Sequence, residues 1–138
     1  QMPAGGCQIP ASSDSLQKRQ HFLKMNGREI YKFAVRGMER AAKEILEKQE
    51  LTIEDVDFII PHQANMRIIE TIQDRLEIPK DKFYNNLQNY GNTSAASIPI
   101  ALDEAYRKGL IRHGDKLLCL AFGAGLTWGS TLIKWHKP

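Results

Sequence analysis

Three short segments hold most of the side chains in this sequence that are suited to chemistry. Pro61-His62-Gln63-Ala64-Asn65 carries a histidine, the side chain that titrates nearest neutral pH and can donate or accept a hydrogen bond at either ring nitrogen. Tyr90-Gly91-Asn92-Thr93-Ser94-Ala95-Ala96-Ser97 crowds small polar residues together, and Asn92 offers an amide donor that does not titrate. Phe122-Gly123-Ala124-Gly125-Leu126-Thr127-Trp128-Gly129 is glycine-rich but is no dinucleotide fingerprint. Its spacing departs from G-x-G-x-x-G, and an alternating, strand-like stretch follows where a phosphate-binding turn would open a helix. These glycines either form a tight hairpin or let a backbone pass close to a side chain or a substrate. The two cysteines offer less: Cys7 sits in a Gly-rich loop beside no base, and Cys119 lies inside an apolar run as a core thiol. No zinc set is present, because His21, His113 and His136 fall in unrelated segments.

The elements that position these groups follow from hydrophobic periodicity. Ile30, Phe33, Ala34, Met38, Ala41, Ile45 and Leu46 recur at three- and four-residue steps, which predicts an amphipathic helix over 28–49. Val56 to Ile60 reads as a buried strand stopped by Pro61. His62 then stands at the C-terminal end of a strand, the edge where open α/β sheets take ligands. A second helix is expected over 65–76, with Ile68, Ile69, Ile72 and Leu76 on one face. Residues 83–91 read as a loop with a possible strand at Phe83-Tyr84. A further helix starts within Asn92-Thr93-Ser94, holds Pro99 in or near its first turn, and stops at Gly109. Unpaired N–H groups at such a start favour negative charge. Strands over 116–122 and 127–135 close the chain as a hairpin. The order predicts an α/β fold, a layered sheet with helices on both faces. Residues 1–27 show no sustained period and read as a loop or linker, leaving 28–138 as the domain.

Composition narrows the function classes. With 138 residues, 42% hydrophobic and 25% charged, the chain has the size of one ordinary domain. Nineteen basic against 16 acidic residues is too even a balance to predict nucleic-acid binding. No apolar run approaches the ~18 residues of a membrane helix, and no signal-peptide pattern opens the chain. Two cysteines without a disulfide framework fit a reducing cytoplasm. Because the chain opens Gln-Met-Pro, it is expected to be part of something longer.

Taken jointly, the three segments resemble, in order and spacing, β-ketoacyl-acyl carrier protein synthase III, the initiating condensing enzyme of bacterial type II fatty-acid synthesis. The resemblance runs from Met2 to Trp135. It implies one half of a thiolase-like fold. It also implies an acyltransferase reaction in which an acyl-CoA primer acylates a cysteine, malonyl-ACP loses CO₂, and the resulting carbanion attacks the acyl-enzyme. His62 and Asn92 match the family's catalytic histidine and asparagine, two N–H donors suited to the enolate that develops on the thioester oxygen. Asn65 and Phe122 match residues of the substrate tunnel, Phe122 near the active-site cysteine and Asn65 along the pantetheine. Lys32, Arg36 and Arg67 are expected to dock the acidic acyl carrier protein, and Arg28, Lys32, Arg36 and Arg40 fall on one helical stripe. The alternative for that stripe is a solvated face shared with Glu29, Glu39 and Glu44. No metal and no cofactor beyond the two substrates is implied, and a homodimer is.

One departure matters. The family's nucleophilic cysteine lies in an N-terminal half, at a helix start that lowers its pKa, and nothing in this chain matches it. The 138 residues are therefore expected to be a C-terminal half, inactive alone, with an apolar face that needs its own N-terminal half or self-association. Two other readings stand beside this one. The first is a non-catalytic module that binds acyl-CoA or a carrier protein. The second is a polyketide-type synthase with a different primer.

Overall fold

A computed structural model describes residues 2–136 of the chain. Two compact units are present, Gln1–Ile30 and Tyr31–Pro138. The first holds helix α1 (Ser13–Gln17), where a loop is expected from the sequence. Its origin is a capping box rather than a hydrophobic period. The Ser15 N–H donates to Ser12 Oγ at 3.1 Å, and the Ser12 N–H donates to Ser15 Oγ at 2.8 Å. Five residues are too few to display a helical period, so only the spacing of Ser12 and Ser15 could have revealed it.

The second unit is built around a sheet. Helix α2 (Gly27–Lys48), which belongs to this unit from Tyr31 onward, buries Ala34, Val35, Met38, Ala42 and Leu46 on one side. Strand β1 (Phe58–Pro61) follows, then α3 (Met66–Arg75), the four-residue α4 (Leu87–Tyr90), and α5 (Ser97–Arg107). Strands β2 (Lys116–Gly123) and β3 (Thr127–Lys134) complete it. The sheet order is β1-β2-β3, with β1 parallel to β2 and β3 antiparallel to it.

Strand alternation sends successive side chains to opposite faces, and helices cover both. On one face Ile59, Leu118 and Leu120 pack with α2 and with Ile68, Ile69 and Ile72 of α3. On the other, Phe58, Ile60, Leu117 and Cys119 pack with Ala101 and Ala105 of α5. The register pairs Phe58 with Leu117, Ile59 with Leu118 and Ile60 with Cys119, so each face is continuous across β1 and β2. Phe83 joins Ile59 in a single bridge, which is all that remains of the possible strand there.

Pro61 belongs to β1 instead of stopping it. A proline removes only a donor, and the ladder to β2 continues through the His62 N–H, which donates to Leu120 C=O at 2.7 Å. The helix expected from residue 92 begins as a 3₁₀ turn (Ser94–Ala96) before α5. Pro99 is the third residue of α5, where its missing N–H has no helical partner to lose.

Candidate active site

Because β1 and β2 run parallel, their C-terminal ends share one edge of the sheet, and His62 lies there directly after β1. Its ring is half-buried and held from two sides. Nδ1 lies 2.6 Å from Ser97 Oγ, and the ring meets Phe122 of β2 edge-on, with centroids 5.4 Å apart. Burial pushes the imidazole pKa below the ordinary histidine value, so the neutral ring prevails at pH 7. Nε2 makes no hydrogen bond among the described residues.

Three neighbouring polar side chains, Ser97, Gln63 and Asn86, are buried and hydrogen-bonded. Ser97, the first residue of α5, is 2% exposed and accepts the Gln63 backbone N–H at 3.2 Å. The Gln63 side chain is 1% exposed. Its Nε2 donates to Pro61 C=O at 2.7 Å and to Tyr84 C=O at 3.4 Å, and its Oε1 accepts the Asn86 N–H at 3.1 Å. Asn86, also buried, donates to the Glu104 carboxylate at 2.6 Å. The loop that carries His62 is thus fastened to α5 and to the segment before α4.

Asn92 lies five residues before Ser97, in the turn that feeds α5, and is exposed. Its Oδ1 accepts the Ser94 N–H at 2.9 Å, which points the carboxamide oxygen back at its own chain and leaves Nδ2 without a hydrogen bond among the described residues. The turn is tight: Gly91 has φ 68° and Ser94 φ 53°, a left-handed conformation that costs a serine energy. His62, Phe122 and the Asn92–Ser97 turn therefore meet at one edge through Ser97, with no direct hydrogen bond between His62 and Asn92.

The remaining candidates are placed as follows. Asn65 caps α3, its Oδ1 accepting the Ile68 N–H at 3.0 Å. Lys32, Arg36 and Arg67 are exposed. The Arg67 guanidinium lies 4.8 Å over the Tyr31 ring, and the Tyr31 hydroxyl meets Thr71 Oγ1 at 2.7 Å, so Arg67 on α3 stands beside the stretch of α2 that carries Lys32. Further along the stripe, Arg40 pairs with Glu44 at 2.6 Å, and Glu39 pairs with both Lys43 and Arg75. That end is a salt-bridged, solvated face. The glycine-rich segment is a tight hairpin whose loop, Ala124-Gly125-Leu126, takes positive φ at Gly125 (82°) and Leu126 (56°).

Cys119 is buried, and its thiol pKa is pushed up to about 11, the reverse of what a nucleophile needs. Cys7 is exposed. Among the described residues no group of three or more His, Cys, Asp or Glu side chains is placed to hold a metal ion, and no helix is long and apolar enough to cross a membrane. Ser97, Gln63 and Asn86 are the contributors that periodicity misses. The signal for Ser97 and Gln63 was their place inside two chemistry-bearing segments, and nothing local marks Asn86.

Comparison with known proteins is consistent in family and fold. The family described as 3-Oxoacyl-[acyl-carrier-protein (ACP)] synthase III C terminal matches residues 46–135. Beta-ketoacyl-[acyl-carrier-protein] synthase III of Caldanaerobacter subterraneus subsp. tengcongensis is 59% identical over 136 residues, which are 99% of this chain and 41% of that protein. The crystal structure of 3-oxoacyl-[acyl-carrier-protein] synthase III from Aquifex aeolicus superposes with a TM-score of 0.80 at 51% identity, covering 83% of this chain and 37% of that one. The priming beta-ketosynthase of a polyketide biosynthetic pathway gives a TM-score of 0.80 at 34% identity, covering 93% of this chain and 40% of that one.

Proposed function

The chain belongs to the 3-oxoacyl-[acyl-carrier-protein] synthase III family, within its C-terminal part, and on that premise we propose that it supplies the decarboxylating half of such a synthase. It has the thiolase-like α/β architecture of that family and spans 41% of the length of the Caldanaerobacter relative. The observation that carries the proposal is the His62 imidazole, neutral and half-buried, with Nε2 unpartnered beside the turn that presents Asn92.

Malonyl thioester is the substrate on which this arrangement acts. As the C–CO₂ bond breaks, its electron pair moves toward the thioester carbonyl and charge develops on the oxygen. His62 Nε2–H and Asn92 Nδ2–H donate to that oxygen, each fixed in advance by its own hydrogen bond. Donors of this kind are each worth roughly 10²–10³ in rate. Phe122 packs against the imidazole and limits water there. The carbanion then attacks the thioester carbonyl of an acyl group on a cysteine supplied from outside this sequence, forming the C–C bond as the C–S bond breaks and the cysteine leaves as thiolate. The buried Cys119 stays a thiol at neutral pH and is not that cysteine. Acyl-CoA loads that cysteine, and Asn65 and Phe122 line the approach for the pantetheine arm.

Acyl carrier protein is the second partner. Lys32, Arg36 and Arg67 offer it an exposed positive face, which speeds encounter with an acidic surface. The chain's own N-terminal half and a second copy in a homodimer are the remaining partners, with the reaction in the cytoplasm. The exposed hairpin supports an N-terminal partner: Leu126 is 59% and Trp128 42% exposed, apolar surface of the kind such contacts cover. Fatty-acid priming is favoured over polyketide priming by the 59% identity to the first relative against 34% to the polyketide enzyme. The test is mass spectrometry of the synthase that contains these residues after incubation with acyl-CoAs. An acyl mass on a cysteine outside the 138 residues is expected, and an acyl mass on Cys119 or Cys7 would overturn the proposal.

A further inference from the structure

We propose that Ser97 is a positioning residue for His62, its hydroxyl giving a hydrogen bond to Nδ1 and so making Nε2 the ring nitrogen that carries the proton. This rests on the reading of His62 as an N–H donor and adds what selects the donating nitrogen. A donor count at one buried oxygen decides the matter. Ser97 Oγ has two polar neighbours, the Gln63 backbone N–H at 3.2 Å and His62 Nδ1 at 2.6 Å. The peptide N–H can only donate, so it takes one lone pair of Oγ. The hydroxyl proton then needs an acceptor, and among the described residues no carbonyl or carboxylate takes a bond from Ser97 Oγ. His62 Nδ1 is the one acceptor in reach.

The opposite tautomer, with the proton on Nδ1, would make Oγ accept twice and strand its own proton in a site that is 2% exposed. A neutral ring carries one N–H, so a Nδ1 that accepts leaves that N–H on Nε2. Rotation of the ring is opposed by Phe122 on its side. The oxygen itself cannot drift, because Ser97 begins α5 and the residue after His62 is held through both ends of its amide. The turn that presents Asn92 therefore also sets the proton on His62.

The test is the ring ¹⁵N–¹H correlation spectrum of His62 in the synthase containing these residues, read beside malonyl-thioester decarboxylation. Wild type is expected to show Nδ1 unprotonated and Nε2 protonated. Ser97→Ala is expected to show both tautomers, with decarboxylation lower by roughly tenfold, the rate equivalent of one hydrogen bond. Ser97→Thr, which keeps the hydroxyl, is expected to restore both. Should Ser97→Ala fail to fold, Ser97→Cys, with a weak donor of similar size, is expected to mix the tautomers. A proton on Nδ1 in wild type, an unchanged tautomer in the Ala or Cys variant, or mixed tautomers in the Thr variant would each overturn the proposal. A His62→Ala control separates the premise: normal decarboxylation there would remove the role of His62 while the tautomer spectra still judge Ser97.

Discussion

Replacing Gln63 by glutamate changes one NH₂ group to oxygen at nearly constant shape, in a place where the surroundings dictate which form survives. The amide is 1% exposed, with its nitrogen side against two carbonyls, Pro61 at 2.7 Å and Tyr84 at 3.4 Å, and its oxygen side against the Asn86 N–H at 3.1 Å. An ionised carboxylate in this position would still accept from Asn86 but would turn a charged oxygen on those carbonyls. The Glu104 carboxylate, bonded to the Asn86 side chain, adds a negative charge nearby. The protonated acid instead donates one O–H to Pro61 and reproduces most of the original pattern. The folded-state pKa of the introduced carboxyl is therefore raised above the ~4.3 of an unfolded chain.

A raised carboxyl pKa means that the folded protein keeps a proton which the unfolded chain releases. Stability then matches wild type below about pH 4, falls as pH rises toward the folded pKa, and levels above it. Each unit of elevation costs about 1.4 kcal/mol. An elevation of about two to three units, modest for a fully buried acid, amounts to about 3–4 kcal/mol at pH 8, out of about 5–15 kcal/mol for a typical domain. Urea unfolding of wild type and Gln63→Glu at pH 5 and pH 8 measures this directly, and the loss should be about 2–3 kcal/mol larger at pH 8. An equal loss at both pH values would refute the orientation of Gln63 and with it the fastening of the His62 loop.

Other outcomes follow from the same geometry. At pH 8 an alkylating reagent should modify Cys7 quickly and spare Cys119 until unfolding, because a thiol with a pKa of about 11 is roughly 0.1% thiolate there; peptide mapping by mass checks this. Arg67→Glu should slow association with acyl carrier protein and weaken its salt dependence, while changing stability by less than about 1 kcal/mol, as stopped-flow binding at two ionic strengths and a melting curve would show. Leu118→Ala, on the central strand with no exposure, should lose about 2–5 kcal/mol in denaturant unfolding.

Long elements were legible because their apolar residues recur with one period. Ala34, Met38 and Leu46 of α2, Ile68, Ile69 and Ile72 of α3 and the apolar runs of β1 and β2 sit in the core, whereas Ile30 and Phe33, assigned to the same α2 face, are only partly buried and lie outside it. Short elements were not. Neither α1 nor α4 spans enough residues to show a period, and α1 rests on two reciprocal serine contacts. Pro61 misled as a stop because what matters is where a strand's donors point, which requires the partner strand. At the site, His62 and Asn92 stand out by residue type and segment, whereas Phe122 enters only through the family resemblance. The supporting groups could not: Asn86 lies 23 residues from Gln63 in sequence, and the Ser97 hydroxyl looks like one more helix-start serine until His62 is seen against it.

Whether His62 and Asn92 are the enolate donors is decided by the rate of malonyl-thioester decarboxylation by the synthase that contains these residues, measured for His62→Ala and Asn92→Ala beside the rate of its acylation by acyl-CoA. Each variant should lose roughly 10²–10³ in decarboxylation and acylate at the wild-type rate, because each removes one donor to the developing enolate and nothing from the nucleophile. Decarboxylation at the wild-type rate in either variant, or an equal loss in both reactions, would contradict the account.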